Sequence, residues 1–233
     1  MSQTAVPKSS PDPMEAASRP ERERHSRLRL TEIFYSIQGE SSYAGRPCVF
    51  VRLSRCNLRC TWCDTTYSFK GGDKVEIEEI LSRVQSYGCP VVEITGGEPL
   101  LQPAVHDLMK ALCDRGHTVL IETSGSLDIS TIDPRVVVIM DLKAPGSGEV
   151  DKNRLENIEH LKAADEVKFV LVNRADFDWS VEMVRRFDLP RRASVIFSPV
   201  HGQLDAHELA NWILEEKLEV RLGLQLHKFL NVE

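Results

Sequence analysis

The stretch SRCNLRCTWCDTTYSF, residues 54–69, holds three cysteines in a CxxxCxxC spacing: Cys56, Cys60 and Cys63. A structural zinc site normally has four ligands, and an electron-transfer iron–sulfur protein normally supplies four cysteines to each cluster. The sequence offers no second cysteine pair, although His117 or His160 could be recruited from a distance. Three thiolates on a four-iron cluster would leave one iron open to another ligand. The spacing therefore favours a metal centre that binds a small molecule over a structural zinc site.

The composition indicates a globular protein that acts on small molecules. The 233 residues are 42% hydrophobic and 27% charged, and the formal net charge is −6. A negative chain is a poor partner for nucleic acid, because phosphate binding requires clustered Lys and Arg. Three further cysteines stand alone and are expected to be small buried thiols: Cys48, Cys89 and Cys113.

The N-terminal segment is predicted to carry no chemistry. Residues 1–26 are rich in proline, serine and charge, which is typical of a disordered tail, and they lack the apolar centre of a secretory signal. The sequence contains no apolar run of the ~20 residues needed to cross a bilayer. We therefore expect a cytoplasmic protein with no membrane attachment and one catalytic domain over residues 27–233.

Strand-like and helix-like segments alternate along that domain. Strands rich in β-branched residues are predicted at 47–53, 91–95, 118–124, 136–143, 167–172, 194–200 and 219–229. Amphipathic helices are predicted at 75–88, 102–116, 154–164, 178–189 and 205–218. This alternation indicates an α/β fold with a mostly parallel sheet, either an open doubly wound sheet or a full or partial barrel.

Polar motifs follow the predicted strands at the ends where ligands bind in such folds. The cysteine stretch follows the first strand, and TGGEP, ETSGS, DLKAPGSGE and SPVHG follow later ones, while QLHKFLNVE closes the chain. Because the carboxyl ends of parallel strands meet at one edge of a sheet, these motifs are expected to line a single pocket.

The cysteine motif, with Trp62 before its last cysteine, and the downstream TGGEP (95–99) resemble the radical S-adenosylmethionine superfamily. Residues 28–233 are further similar to the 7-carboxy-7-deazaguanine synthase family, through 32–69, TGGEPLLQ, ETSGS, DLKAPGSGE and HKFLNVE. The resemblance implies a partial (β/α) barrel whose three cysteines hold a 4Fe-4S cluster. S-adenosylmethionine on the fourth iron would be cleaved to a 5'-deoxyadenosyl radical. The family contracts the ring of 6-carboxy-5,6,7,8-tetrahydropterin and releases ammonia on the way to 7-deazapurines such as queuosine.

Site residues carry over from the resemblance position by position. It implies a Mg²⁺ ligand at Thr65 and pterin contacts from Ile37, Gln38, Gly39, Arg52, Thr95 and Glu233, the last through its main-chain carboxylate. It implies that S-adenosylmethionine is bound by Trp62, Asp64, Gly97, Ser124, Asp141, Leu142, Lys143, Ser198, Pro199, Val200 and His201. The chain departs from the family pattern at residues 141–143, where many relatives carry Ser-Pro-Lys. It also departs at Ser41, where glycine is often found, and at Ser54 and Arg55, which replace a common pair of small residues before the first cysteine.

Several alternatives remain at this point. Arg52 lies in an apolar strand, where an internal ion pair would explain it as well as a substrate carboxylate does. The chain end could be a plain edge strand instead of a segment folded over the pocket. For the whole protein, the alternatives are a glycyl-radical-enzyme activase of the same superfamily and a non-catalytic metal-binding module. The family resemblance also implies a homodimer and an external one-electron reductant of the flavodoxin or ferredoxin type.

Overall fold

A computed structural model describes residues 26–232, which form one nine-stranded sheet in the order β3-β1-β2-β4-β5-β6-β7-β8-β9. The strands are β1 (Arg27–Ile37), β2 (Pro47–Leu53), β3 (Asp73–Glu76), β4 (Val91–Gly96), β5 (Thr118–Thr123), β6 (Val137–Asp141), β7 (Glu166–Leu171), β8 (Ser194–Pro199) and β9 (Arg221–Leu222). The α-helices are α1 (Ile77–Ser86), α2 (Val105–Asp114), α3 (Arg174–Phe187), α4 (Ala206–Glu215) and α5 (Leu226–Leu230).

The sheet is parallel from β2 onward and antiparallel at its beginning. β2 and β4 to β9 pair as parallel neighbours, whereas β1 pairs antiparallel with both β2 and β3. In the described chain the sheet ends at β3 on one side and β9 on the other, so it is an open, partial barrel. The predicted α/β class with mostly parallel strands is confirmed, and the closed barrel is excluded.

Two strands were missed because charged residues mask their pattern. β1 reads RLRLTEIFYSI, and its side chains alternate between buried and partly exposed positions along much of its length. β3 is a four-residue edge strand that pairs only with β1. Neither is an apolar run, which is what a search for parallel-sheet strands detects.

Two predicted elements were wrong in type. The helix predicted at 154–164 is a 3-10 helix over Leu155–His160, because buried Asn157 donates to the carbonyls of Gly125 and Leu127 and ties this segment to a loop. The strand predicted at 219–229 is regular only at Arg221–Leu222 and continues as α5. Gly223 still packs on β8: its amide donates to Phe197 at 2.8 Å, and a Cβ there would lie 2.5 Å from the Ser198 hydroxyl. The chain leaves the sheet after this glycine.

The two faces of the sheet differ in the side chains that they bury. The outward side chains of β4 to β8 pack with the helices in one apolar core. The other face carries buried charged residues, including Glu93, Glu166 and Lys168. Buried charges must be paired or bind ligands, so this face marks the site.

None of the helices within residues 26–232 is long and apolar enough to cross a membrane. The predicted tail lies outside the described residues except for Ser26, whose carbonyl accepts a hydrogen bond from the amide of Ile77.

Candidate active site

A cavity of about 420 Å³ opens at the carboxyl ends of the parallel strands. It is lined by all but two of the residues predicted for the site: Ile37, Gln38, Gly39, Arg52, Cys56, Cys60, Trp62, Cys63, Asp64, Thr65, Thr95, Gly97, Ser124, Asp141, Lys143, Ser198, Pro199, Val200 and His201. Leu142 is not a lining residue, because its side chain is buried in the apolar core. Glu233 lies outside the described residues. The single pocket expected from the strand-end motifs is therefore present.

The cysteine loop follows β2 and is held by backbone contacts on both sides. Arg55 has a positive φ of 81°, its amide donates to Ser68 (2.7 Å), and its carbonyl accepts from Glu98 (2.8 Å). At the other end the Thr61 amide donates to Ser147 and its hydroxyl to Gly146. A left-handed arginine is strained, and the hydrogen bonds on both sides of its peptide hold it there. The result is a rigid loop that presents its sulfurs to the cavity.

The three thiols suit a three-cysteine cluster. The Leu58 amide donates to the sulfur of Cys56 at 3.4 Å, a contact that favours the thiolate. Burial raises the pKa of the Cys56 and Cys60 thiols. A bound metal overcomes this effect, because it deprotonates a coordinating thiol outright. Among residues 26–232 no group of three His, Cys, Asp or Glu side chains is close enough to share one metal ion. The cavity lining includes the three cysteines of this loop, and three thiolates are a donor set that fits a four-iron cluster with one open iron.

Gly97 lets the TGGEP turn pack directly on this loop. A Cβ there would overlap the carbonyl oxygen of Arg55 and lie 2.9 Å from the Cβ of Cys56. The Gly97 amide donates to Leu53 at 3.1 Å, whereas its carbonyl oxygen accepts no hydrogen bond within residues 26–232 and can accept one from a ligand. A carbonyl is the right partner for the amino group that the family resemblance assigns to this residue.

Glu98 fixes the neighbouring strand end. Its buried carboxylate accepts from the Thr123 hydroxyl at 3.0 Å and from the Ser124 amide and hydroxyl at 2.7 and 2.6 Å. Because the carboxylate is used internally, the side chain of Glu98 holds TGGEP against ETSGS. Ser124 lines the cavity with its hydroxyl already bonded to Glu98.

The floor of the cavity is a network of charges that the sequence did not reveal. Lys168 on β7 lies 2.9 Å from Glu40 and 3.0 Å from Glu122, and Glu122 also accepts from the Thr95 hydroxyl at 3.1 Å. Glu93 on β4 accepts a hydrogen bond from the side-chain amide of Gln38 at 2.9 Å. Burial, followed by the Glu122 charge, raises the pKa of Glu93 well above its usual range. The missed signal was a charged residue inside an apolar strand, in VVEIT and VKFVLV.

Arg52 fits both interpretations drawn from the sequence. Its Nε donates to Glu32 at 2.7 Å, and its guanidinium lies over the rings of Phe34 and Tyr67. The internal ion pair is therefore present. The side chain also lines the cavity at 15% exposure, and within residues 26–232 its terminal nitrogens make no hydrogen bond. One edge of the guanidinium is left to bind a carboxylate.

Asp141 and Lys143 form the corresponding pair on the side of the cysteines. Lys143 lies 2.5 Å from one Asp141 oxygen. Burial lowers the pKa of the lysine, but the charge of Asp141, followed by that of Cys60, outweighs burial and raises it. The other Asp141 oxygen is buried, 3.7 Å from Lys168, without a hydrogen bond in the part of the chain that the structure describes. An unsatisfied buried oxygen in a ligand cavity suits a hydrogen-bond donor on a ligand.

The end of the described chain folds back over the cavity, as expected, although as a short helix. The Leu226 amide donates to Gly39 at 3.0 Å, Gln225 to Glu40 at 2.7 Å, and Lys228 to Asp64 at 3.0 Å. These contacts join residues 225–228, the closing segment, to the loop after β1 and to the loop after Cys63. This segment also adds three lining residues that the sequence analysis did not predict: Gln225, His227 and Lys228.

Comparisons with known proteins agree with this geometry. Residues 51–187 match the radical SAM superfamily. The chain is 48% identical to the 7-carboxy-7-deazaguanine synthase of Koribacter versatilis, over 87% of this chain and 96% of that protein. It is 46% identical to the synthase of Chlorobaculum tepidum, over 87% and 94%. The crystal structure of QueE from Escherichia coli superposes with a TM-score of 0.72 at 22% identity, covering 85% of this chain and 94% of that one; this likeness shows the fold.

Proposed function

We propose that this chain, which belongs to the 7-carboxy-7-deazaguanine synthase family of the radical SAM superfamily, converts 6-carboxy-5,6,7,8-tetrahydropterin to 7-carboxy-7-deazaguanine and ammonia. The observation that carries the proposal is one cavity that joins the three thiols to a polar strand face bearing Arg52, Thr95 and Glu122. The activase and the non-catalytic metal-binding module are set aside, because curated relatives matched over most of the chain bear the synthase name. The product would feed the synthesis of queuosine or another 7-deazapurine.

The cofactors of the superfamily are a 4Fe-4S cluster and S-adenosylmethionine, and Cys56, Cys60 and Cys63 would hold the cluster. When bound, the two together supply a 5'-deoxyadenosyl radical that abstracts hydrogen. On this chain the Gly97 carbonyl would accept from the amino group of S-adenosylmethionine. The open oxygen of Asp141 would accept from a second donor, and Lys143 holds that carboxylate in place. Ser124, Trp62, Asp64 and residues 198–201 complete this half of the proposed site.

The pterin would lie on the other half, over β1, β2 and β4. Arg52 would bind its carboxylate through the free edge of the guanidinium, and Thr95 and residues 37–39 would contact the ring. The terminal carboxylate of Glu233 would accept from ring N–H groups, a proposal supported by Gln225, His227 and Lys228, which line the cavity a few residues before Glu233. Gln38 would contribute mainly by packing, because its side chain is already bonded to Glu93 and to the amides of Glu40 and Ser41, and its backbone N–H and carbonyl pair with Arg46 and Gly45.

The test of this function is an anaerobic assay of reconstituted protein with dithionite, S-adenosylmethionine, Mg²⁺ and the carboxy-tetrahydropterin. We expect about four irons and four sulfides per chain and formation of the deazapurine together with ammonia. Stoichiometric zinc without iron, or an iron-loaded protein that cleaves S-adenosylmethionine but leaves the pterin unchanged, would refute it. A flavodoxin or ferredoxin in place of dithionite tests the proposed donor, and sedimentation of the same sample tests the proposed homodimer.

Replacing Arg52 should separate its two interactions. Arg52→Met is expected to raise the pterin KM roughly ten- to a hundredfold, because that change corresponds to the free energy of one lost hydrogen bond to a charged group. The absorbance of the cluster should stay unchanged. Glu32→Gln removes the internal ion pair and leaves the guanidinium in the cavity, so its KM should stay within about threefold of the wild type. Equal KM increases in the two variants would show that Arg52 serves only the ion pair.

Thr65 is proposed to hold Mg²⁺, which prefers hard oxygen ligands and retains several waters. Its hydroxyl lies 3.7 Å from the sulfur of Cys63, at the junction of the cysteine loop and the cavity. Thr65→Ala should shift the Mg²⁺ concentration for half-maximal product formation upward about tenfold, while Thr65→Ser should stay close to wild type. Thr66→Ala, on the exposed neighbour, is the control. Identical Mg²⁺ titrations for Thr65→Ala and the wild type would remove Thr65 from the metal site.

A further inference from the structure

Lys168 is the central cation of the cavity floor and has no role in the site described so far. Its side chain is 7% exposed and lies in the apolar strand β7, where an unpaired ammonium would be costly. It reaches carboxylates on three different elements: Glu40 in the loop after β1, Glu122 on β5 and, at 3.7 Å, Asp141 on β6. One side chain thus connects the loop, the centre of the sheet and the cosubstrate side.

Each carboxylate bonded to Lys168 also binds a second group of the proposed pterin site. Glu122 accepts from Thr95 with its other oxygen, and Glu40 accepts from Gln225 of the closing segment with its other oxygen. Both carboxylates line the cavity. Because their nearer oxygens lie within 3.0 Å of the same nitrogen, the two carboxylates are close neighbours that would repel each other without it.

We propose that Lys168 is a positioning residue for the pterin: its ammonium group holds the carboxylates of Glu40 and Glu122 together as paired hydrogen-bond acceptors facing the cavity. The inference rests on the proposed function, since the pterin is the ligand whose ring N–H groups would be accepted. Lys168 acts through the two carboxylates and through the closing segment that Glu40 holds.

The charges around this cluster determine the sign of its pH dependence. The titratable groups that face Lys168 and its two carboxylates are Glu93, Asp141, Lys143, Glu166 and His227. Burial raises the pKa of Glu40, but the charge of Lys168 outweighs it and lowers that pKa well below its usual range, so the Glu40 carboxylate stays ionised in the wild type at pH 6 to 9. Without the cation, burial and the neighbouring negative charge raise the pKa of Glu40. As pH falls, a proton then occupies an acceptor, and pterin binding weakens.

The experiment measures binding without turnover. Affinity for 6-carboxy-5,6,7,8-tetrahydropterin is determined anaerobically on cluster-loaded protein with S-adenosylmethionine and no reductant, from pH 6 to pH 9. We expect a nearly flat profile for the wild type. Lys168→Gln should bind about tenfold more weakly at pH 8 and several-fold more weakly again at pH 6. Lys168→Arg, which keeps the charge, should stay flat.

A matched control lies just before the same strand. Lys162 pairs at 2.8 Å with the buried carboxylate of Asp165, next to the amino end of β7 and outside the cavity lining. Lys162→Gln should therefore leave the pterin affinity and its pH profile unchanged. If Lys168→Gln does not fold, the double variant Glu40→Gln/Lys168→Gln removes one charge of each sign and should still bind the pterin about tenfold more weakly than the wild type at pH 8, because no ammonium group then holds Glu122 in place.

The outcomes separate the two proposals. Failure of the wild type to bind the pterin would refute the proposed function. A wild type that binds the pterin, with a flat and unweakened profile for Lys168→Gln or for the double variant, would overturn the role of Lys168 and leave the function standing. Equal loss in Lys168→Gln and Lys162→Gln would also overturn it, because that result would reflect general destabilisation of β7.

Discussion

A Cys60→Ala variant is expected to lose the cluster and all reductive cleavage of S-adenosylmethionine. Cys60 is one of only three thiols that line the cavity in the described chain, and a cluster that already lacks a fourth protein ligand cannot spare another. The expected result is loss of the iron–sulfur absorbance after anaerobic reconstitution and no detectable 5'-deoxyadenosine. Cys56→Ala and Cys63→Ala should behave in the same way.

The other cysteines provide the control. Cys89 is buried and donates through its sulfur to the carbonyl of Pro47, and Cys113 is half-buried on α2. Neither lines the cavity, so Cys89→Ala and Cys113→Ala should keep four irons per chain and wild-type cleavage. A modest fall in melting temperature is expected for Cys89→Ala, because it leaves a small void. Wild-type 5'-deoxyadenosine formation by Cys60→Ala would end the radical interpretation.

The parts of the fold that were predictable are those in which one strong pattern decides the structure. Strands buried on both faces read as apolar runs, and β2, β4, β5, β6, β7 and β8 were found in this way. β1 was missed because its second face does not need apolar residues. The segment after Leu222 looked like a strand because its residues are apolar, but Gly223 and the contacts of Gln225 and Leu226 with the loop at 39–40 turn it into α5. Such tertiary contacts cannot be recognised in the local sequence pattern.

The same distinction applies to the site. Residues in loops after strands were predictable, because glycine, cysteine and threonine there form recognisable motifs. Glu93, Glu122 and Lys168 stand inside strands and face inward, and their meaning depends on which strands become neighbours. The register brings Asp141 opposite Lys168 and Arg52 opposite Thr95. A charged residue in an apolar run suggests an inward face, whereas its partner can be identified only from the sheet order.

Gly39→Ala is expected to cause the second large loss, this time in pterin turnover with the cluster intact. A Cβ at this position would overlap the ring Nδ1 of His227 and lie 3.0 Å from the backbone nitrogen of the same residue. The φ of Gly39 is not in the left-handed region, so alanine is tolerated by the local backbone, and the three nearest atoms that its Cβ would meet all belong to His227 of the closing segment. The segment must move, and the hydrogen bonds of Leu226 to Gly39 and of Gln225 to Glu40 are lost with it.

Displacing the closing segment opens the proposed pterin half of the cavity and leaves the cysteine loop in place. Because misplacing a positioning group by about 1 Å can cost on the order of a hundredfold in rate, kcat/KM for the pterin should fall at least about a hundredfold in Gly39→Ala. The iron content and the pterin-independent cleavage of S-adenosylmethionine should stay at wild-type levels. Amide exchange should become faster across residues 225–230, which reports the displacement directly.

Gly45→Ala is the matched control, in the same loop. Gly45 has a positive φ of 88°, and a Cβ there would touch nothing within 4 Å in the described structure. This substitution should cost about 1 kcal/mol of stability through backbone strain without moving the closing segment, so kcat/KM should change by less than about threefold. If Gly39→Ala keeps the wild-type kcat/KM while amide exchange at 225–230 rises, the closing segment is not needed for the pterin. If neither measurement changes, the segment adapts to the added methyl group and its packing on Gly39 does not close the site.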